Sequence, residues 1–169
     1  MTRSIRTIIF WASLAALFIY SGWTVFQAES AIENGKTVLI RLAPVDPRSL
    51  IQGDYMTLGY DLPESFEVTE DSGKLIATAS PTGVVTFQRL AAESNGDLAE
   101  NEFLIRYSRD YSGWRSRVII GTNSFFFEEG TAELYEDARY GEFKITPDGT
   151  AYLVGLRDAV FKPLGDPAK

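Results

Sequence analysis

The sequence predicts a mostly β domain, sandwich-like or barrel-like, with one short helix, preceded by a single transmembrane helix. Three observations predict it. Residues 8–26, bounded by Ile8 and Phe26, form a run of 19 residues without a charge. Beyond it, segments with apolar residues at every second position recur between turns rich in Gly, Pro, Asn and Asp, the pattern of half-buried strands. Only one later segment, 131–140, carries helix start and stop signals together.

At about 1.5 Å per residue the apolar run spans about 28 Å, close to the roughly 30 Å hydrocarbon core of a bilayer. Trp11, Tyr20 and Trp23 lie toward its ends, where aromatic rings favour the membrane interface. Arg3 and Arg6 precede it, and Glu29 and Glu33 follow. Positive charge on the cytoplasmic side then sets the orientation: a single-pass inner-membrane protein, N-terminus in the cytoplasm, domain in the periplasm or outside. The lipid bilayer is the expected partner of residues 8–26. The competing reading is a cleaved signal peptide, with Ala28-Glu29-Ser30 as a small-residue site. Against it, the run exceeds the roughly 7–15 residues of a signal's apolar core, and Phe26 and Gln27 are bulky where a signal narrows.

The elements follow in order. Residues 30–36 read as a juxtamembrane connector with an Asn34-Gly35 turn. Residues 38–42 are the first strand, broken by Pro44 and Pro47, which cannot sit inside a ladder. A second strand spans 55–62, with Met56, Leu58, Tyr60 and Leu62 on one face and Tyr55, Thr57, Gly59 and Asp61 on the other. Shorter strands are expected at 74–78, 84–90, 102–108 and 115–121, and Phe125-Phe126-Phe127 is a short apolar run. In the helical segment Thr131 is placed to cap, Glu133 and Arg139 complement the two ends, and Gly141 terminates. Residues 142–146 and 150–156 flank Pro147-Asp148-Gly149 as a hairpin. The chain thus divides into an anchor (1–28), a connector (29–37), an extracytoplasmic β-rich domain (38–164) and a frayed tail (165–169).

Charge narrows the function. Of 16 basic residues, Arg3 and Arg6 lie before Glu29, leaving 14 against 23 acidic, a net of −9. A domain this acidic does not suit nucleic acid, whose binding rests on neutralising phosphates. The chain has no Cys and no His, which removes thiolate chemistry and the commonest general base and transition-metal ligand. No cofactor is implied.

The most specific stretch is Pro44-Val45-Asp46-Pro47-Arg48-Ser49-Leu50-Ile51-Gln52-Gly53-Asp54-Tyr55-Met56-Thr57-Leu58-Gly59-Tyr60. With Gly53, Asp54, Tyr55, Leu58 and Tyr60 in place, it resembles the GDYXXLXY family of bacterial membrane-anchored proteins. The later Phe127-Glu128-Glu129-Gly130, acidic helical segment and Asp-Gly turn are also similar to that family. The resemblance implies a membrane-anchored chain with a multi-span membrane protein as partner, and assigns no reaction. Read as residues, Pro44 and Pro47 stiffen the loop. Asp46 and Asp54 are placed to accept local N–H groups, and Arg48 to fork onto either carboxylate.

Two roles suit this stretch: a rigid corner leading into a core strand, or a docking surface. The binding set is then Asp46, Arg48, Gly53, Asp54, Tyr55, Tyr60 and, farther on, Trp114, with Tyr111 as another aromatic. The expected function is a membrane-tethered binding or assembly module, since Tyr, Trp and Arg dominate interface hot spots. The enzyme alternative is a Ser–Lys peptidase built on Ser49, which needs a base; Lys36, Lys74 and Lys144 all sit in polar contexts. Glu128 and Glu129 are adjacent and so point to opposite faces, the wrong geometry for a carboxylate pair. A Ca²⁺ site from Asp46, Asp54 and Asp61 fits no EF-hand spacing. A glycan-binding platform calls for a row of exposed rings.

Overall fold

The run without Gly or Pro between Thr24 and Asn34 gives the first element no reason to stop at the end of its apolar stretch. A computed structural model describes residues 3–43, 55–63, 66, 68, 70–91, 98–111 and 117–165. In it one α-helix, α1 (Arg3–Asn34), runs for 32 residues and is long and apolar enough to cross a membrane. Residues 29–34, which the sequence suggests as a connector, continue this helix. Asn34 donates its side-chain amide to the Ser30 carbonyl at 3.0 Å, and Gly35 alone separates the helix from the first strand. Two hydroxyls inside the apolar stretch turn back on the backbone: Ser13 to Phe10 at 2.9 Å and Thr24 to Ser21 at 2.8 Å. These two groups are thereby satisfied without water.

The remainder, from Gly35 onward, is a second unit built of antiparallel β-structure. Strand β1 (Lys36–Arg41) pairs with β8 (Tyr140–Ile145), β8 with β9 (Ala151–Arg157), and β9 with the short β10 (Pro163–Leu164). A second sheet takes the order β4 (Val85–Leu90), β3 (Ser72–Ala79), β5 (Glu102–Asp110), β6 (Arg117–Ile119). A two-stranded ribbon joins β2 (Tyr55–Thr57) to β7 (Ser124–Phe126). The two four-stranded sheets form half-barrels that meet along β1: Leu39 bridges Val84 in parallel, and its N–H reaches the Gly83 carbonyl at 2.8 Å. Across the β8–β9 turn, Gly149 (φ 91) accepts the Arg106 N–H at 2.8 Å, tying that hairpin to β5.

The alternation read from the sequence accounts for the core. Strand β8 alternates in burial along its whole length. Val38, Ile40, Leu75, Ile105, Ile120 and Phe143 are fully buried and belong to one cluster, which Met56, Leu58, Tyr60 and Leu156 join. The expected helix at 131–140 is only a single 3-10 turn, Ala132–Tyr135. Thr131 does not cap it; its hydroxyl instead donates to the Glu128 carbonyl at 2.6 Å. So short a segment cannot hold a helix by propensity, and the Tyr135 ring is packed against Phe125 and Phe127 at 5.1 and 5.3 Å between centroids. Gly141 does not terminate a helix but lies within β8, opposite Ile40 on one side and Leu156 on the other.

Candidate functional site

The 55–62 segment is a strand only over Tyr55–Thr57, yet its two-face pattern holds throughout. Met56, Leu58 and Tyr60 are buried and Leu62 is partly buried; Tyr55 and Asp61 are exposed. Leu58 donates its N–H to the Asn123 carbonyl at 2.8 Å, and Asp61 to the Arg41 carbonyl at 3.1 Å. Leu42 bridges Tyr60 in antiparallel sense. The segment therefore joins β1 at its Arg41 end, opposite Lys36, where the strand begins.

Tyr60 is only 8% exposed. Its hydroxyl points at two carbonyl oxygens, donating to Ile120 at 2.8 Å and to Thr122. Burial raises its pKa well above the ordinary phenol value, outweighing the hydrogen bond to Thr122, which lowers it. The group stays a neutral donor. It fastens the segment to the tight bend at Gly121 (φ 70), where an added Cβ would collide with the Ala151 carbonyl oxygen. Tyr60, expected as a binding residue, is thus built into the core.

Tyr55 points the other way. It is 40% exposed and pairs across the ribbon with Phe126, which is 73% exposed. The two rings lie 5.7 Å apart at 43°. Phe126 belongs to no motif, yet its exposure is legible in the sequence. Three consecutive Phe in an extended segment cannot share one face: Phe125 and Phe127 pack on the core and Phe126 is left outside. The result is an adjacent pair of exposed aromatic rings, rigidly carried on a hydrogen-bonded ribbon.

The other residues expected to bind, Asp46, Arg48, Gly53, Asp54 and Trp114, lie outside the described residues, as do Ser49 and Arg115. Tyr111 is exposed; its hydroxyl donates to the Asp71 carboxylate, and Arg109 lies 5.2 Å over its ring. That hydrogen bond, followed by desolvation, raises the Tyr111 pKa. Lys36, one of the bases weighed for a peptidase, sits 4.1 Å above the Phe103 ring. Among the described residues no three His, Cys, Asp or Glu side chains converge on a possible metal position.

Two clefts flank the point where Asp61 meets β1. One, of about 300 Å³, is lined by Arg41, Asp61, Pro63, Val85 and Phe87. The other, of about 320 Å³, is lined by Arg41, Leu42, Asp61, Arg139, Tyr140 and Ala159. The Arg41 guanidinium lies 6.0 Å from the Tyr140 ring centroid, and Arg139 donates to the Ala138 carbonyl at 2.9 Å. Ion pairs among the described residues join Arg89 to Glu102, Arg106 to Asp148 and Arg157 to Glu142; neither Arg41 nor Arg139 takes part. These cleft residues carried no motif: Arg41 sits in an ordinary strand, and Arg139 reads as a helix-end charge.

Comparison with known protein families matches most of the chain. The family model described as GDYXXLXY protein covers residues 17–156, from the middle of α1 to the end of the β8–β9 hairpin. No curated protein and no solved structure matches the chain.

Proposed function

This chain belongs to the GDYXXLXY family, and we propose that it is a membrane-tethered binding module that docks on an integral membrane partner. In this reading α1 stays in the inner membrane, with Arg3 and Arg6 on the cytoplasmic side and the β domain outside. The observation that carries the docking role is the division of the family's own motif strand. One face, Met56, Leu58 and Tyr60, is spent on the core; the other leaves Tyr55 beside Phe126 in solvent. Covering one such ring is worth about 1.5–3 kcal/mol, and paired aromatics are typical anchors at the centre of an interface. A hydrolase is less well supported: Lys36, one of the bases weighed for it, is stacked 4.1 Å above the Phe103 ring. The rings also stand as a pair on a narrow ribbon, whereas a glycan platform uses a longer row.

The test is co-purification of the full-length chain from membranes in mild detergent. The wild-type protein is expected to retain a multi-span membrane protein in near-stoichiometric amount. The Tyr55→Ser/Phe126→Ser protein, still folded and membrane-bound, is expected to lose it. Retention by the double variant, or no membrane protein with the wild type, would refute the proposal.

A further inference from the structure

The cleft of about 320 Å³ between β1 and the start of β8 is lined by two exposed arginines, Arg41 and Arg139, by the exposed Asp61 and by a small apolar wall. From Gly35 onward the domain holds 14 basic against 21 acidic residues, a net of −7, so acids outnumber the arginines available to pair with them. Arg41 and Arg139 join none of the ion pairs among the described residues. Backbone groups of both hold the sheet together: the Arg41 carbonyl accepts from Asp61 N–H at 3.1 Å, and the Arg139 carbonyl from Leu42 N–H at 2.9 Å. Their guanidinium groups take no part in those bonds: that of Arg41 lies 6.0 Å from the Tyr140 ring centroid, and one nitrogen of Arg139 donates to the Ala138 carbonyl at 2.9 Å and the Glu136 carbonyl at 3.5 Å, leaving its other N–H groups for a ligand.

The apolar wall is braced. Tyr140 packs its ring 5.1 Å from Phe161, and Phe161 holds the left-handed backbone conformation (φ 65) that bulky residues avoid. Three contacts keep it there. Its N–H donates to the Asp158 carbonyl at 3.1 Å, its carbonyl accepts from Arg157 at 2.7 Å, and Arg157 is fixed to Glu142 at 2.8 Å. The Asp158 carboxylate is occupied in turn by the N–H groups of Val160 and Lys162, both at 2.9 Å. Strain sustained by its surroundings in this way tends to gather at binding sites.

We propose that this cleft binds a small zwitterion, with an acid group on Arg41 and Arg139 and an ammonium group on Asp61. Planar guanidinium forks match a carboxylate or a phosphodiester. The single carboxylate of Asp61 disfavours a bare anion and rewards an adjacent cation. Tyr140, Leu42 and Ala159 leave room for an apolar substituent. The site is separate from the Tyr55–Phe126 pair, and a protein altered at both of those rings is expected to keep it.

The chemistry is shared by a free amino acid and by an ethanolamine phosphate headgroup. Nuclear magnetic resonance titration of the full-length chain in detergent micelles distinguishes them, using L-leucine and glycerophosphoethanolamine as probes. N-acetyl-leucine and leucinamide, each lacking one charge, are the controls. Saturable shifts of the Arg41 and Arg139 side-chain signals are expected with one zwitterion or both, and weaker binding with each control. Arg41→Gln and Arg139→Gln should each weaken binding about tenfold or more, the loss of one charge-assisted hydrogen bond. Asp61→Asn should weaken leucine and spare N-acetyl-leucine. Binding by neither zwitterion, equal binding of the singly charged controls, or indifference to all three substitutions in folded protein would overturn the proposal.

Discussion

The Tyr60 hydroxyl donates to the Ile120 carbonyl oxygen at 2.8 Å, across 60 residues of chain. That bond binds the end of the family's motif to the bend between β6 and β7, and the core closes over it. Five residues earlier, Tyr55 of the same motif lies in solvent against Phe126. Two tyrosines of one motif therefore have opposite tasks.

Tyr60→Phe leaves the Ile120 and Thr122 carbonyls without that donor. The expected cost is about 1–3 kcal/mol, or roughly 4–12 °C in melting temperature for a domain of this size. Tyr55→Ser removes an exposed ring and is expected to cost within about 0.5 kcal/mol. Calorimetry of the two variants reads the contrast directly; equal losses would contradict the division of roles.

Gly121 is held at φ 70 with no room for a Cβ beside the Ala151 carbonyl. Gly121→Ala therefore faces both backbone strain and a collision. A loss of about 1–3 kcal/mol is expected from the backbone conformation alone. Urea unfolding would show it as a lower midpoint at unchanged slope; an unchanged midpoint would count against the bend as drawn.

Much of this was legible in the sequence, for identifiable reasons. Period-2 alternation gave the core face of 55–62 and the hairpin around Pro147-Asp148-Gly149, because a half-buried strand leaves no freedom of pattern. The apolar run gave α1. Its extension to Asn34 is not marked by hydropathy: the charges at Glu29 and Glu33 suggest a connector over 29–37, yet nothing before the Asn34-Gly35 turn breaks a helix. The capping signals at 131–140 yield only the turn Ala132–Tyr135, because the Tyr135 ring packs against Phe125 and Phe127, contacts that no local signal announces. The cleft of Arg41, Asp61 and Arg139 had no sequence signal at all. Its members are 20 and 78 residues apart in the chain, and only the sheet register brings them together.

Stability should fall at both ends of the pH scale. A hydrogen bond from Arg89, then one from the Ala99 N–H, lowers the Glu102 pKa below its ordinary 4.5. The Thr146 hydroxyl is the main cause lowering Asp148 below 3.8. Depressed carboxylates stabilise the fold above their ordinary values, and the effect is lost as pH falls through the depressed ones. Tyr60 works in reverse: raised above 10.0, its contribution is intact below that value and lost as pH rises beyond it. Urea midpoints across pH should show both limbs. Arg89→Gln should flatten the acid limb and Tyr60→Phe the alkaline one; unchanged limbs would contradict these assignments.

If α1 is retained in the bilayer, the full-length chain should resist carbonate extraction from membranes. A chain starting at Gly35 should be released as a soluble, folded domain, since its core lies within that unit. A shortened, soluble product from the full-length gene would instead identify α1 as a cleaved signal.

Site-specific photo-crosslinking in intact cells tests the docking claim most directly. A photoreactive residue at Phe126, on the proposed face, is compared with one at Val154, which is exposed on β9. The account predicts adducts to a multi-span membrane protein from position 126 and none from position 154. Adducts equal at both positions, or absent from position 126 in correctly tethered protein, would contradict it.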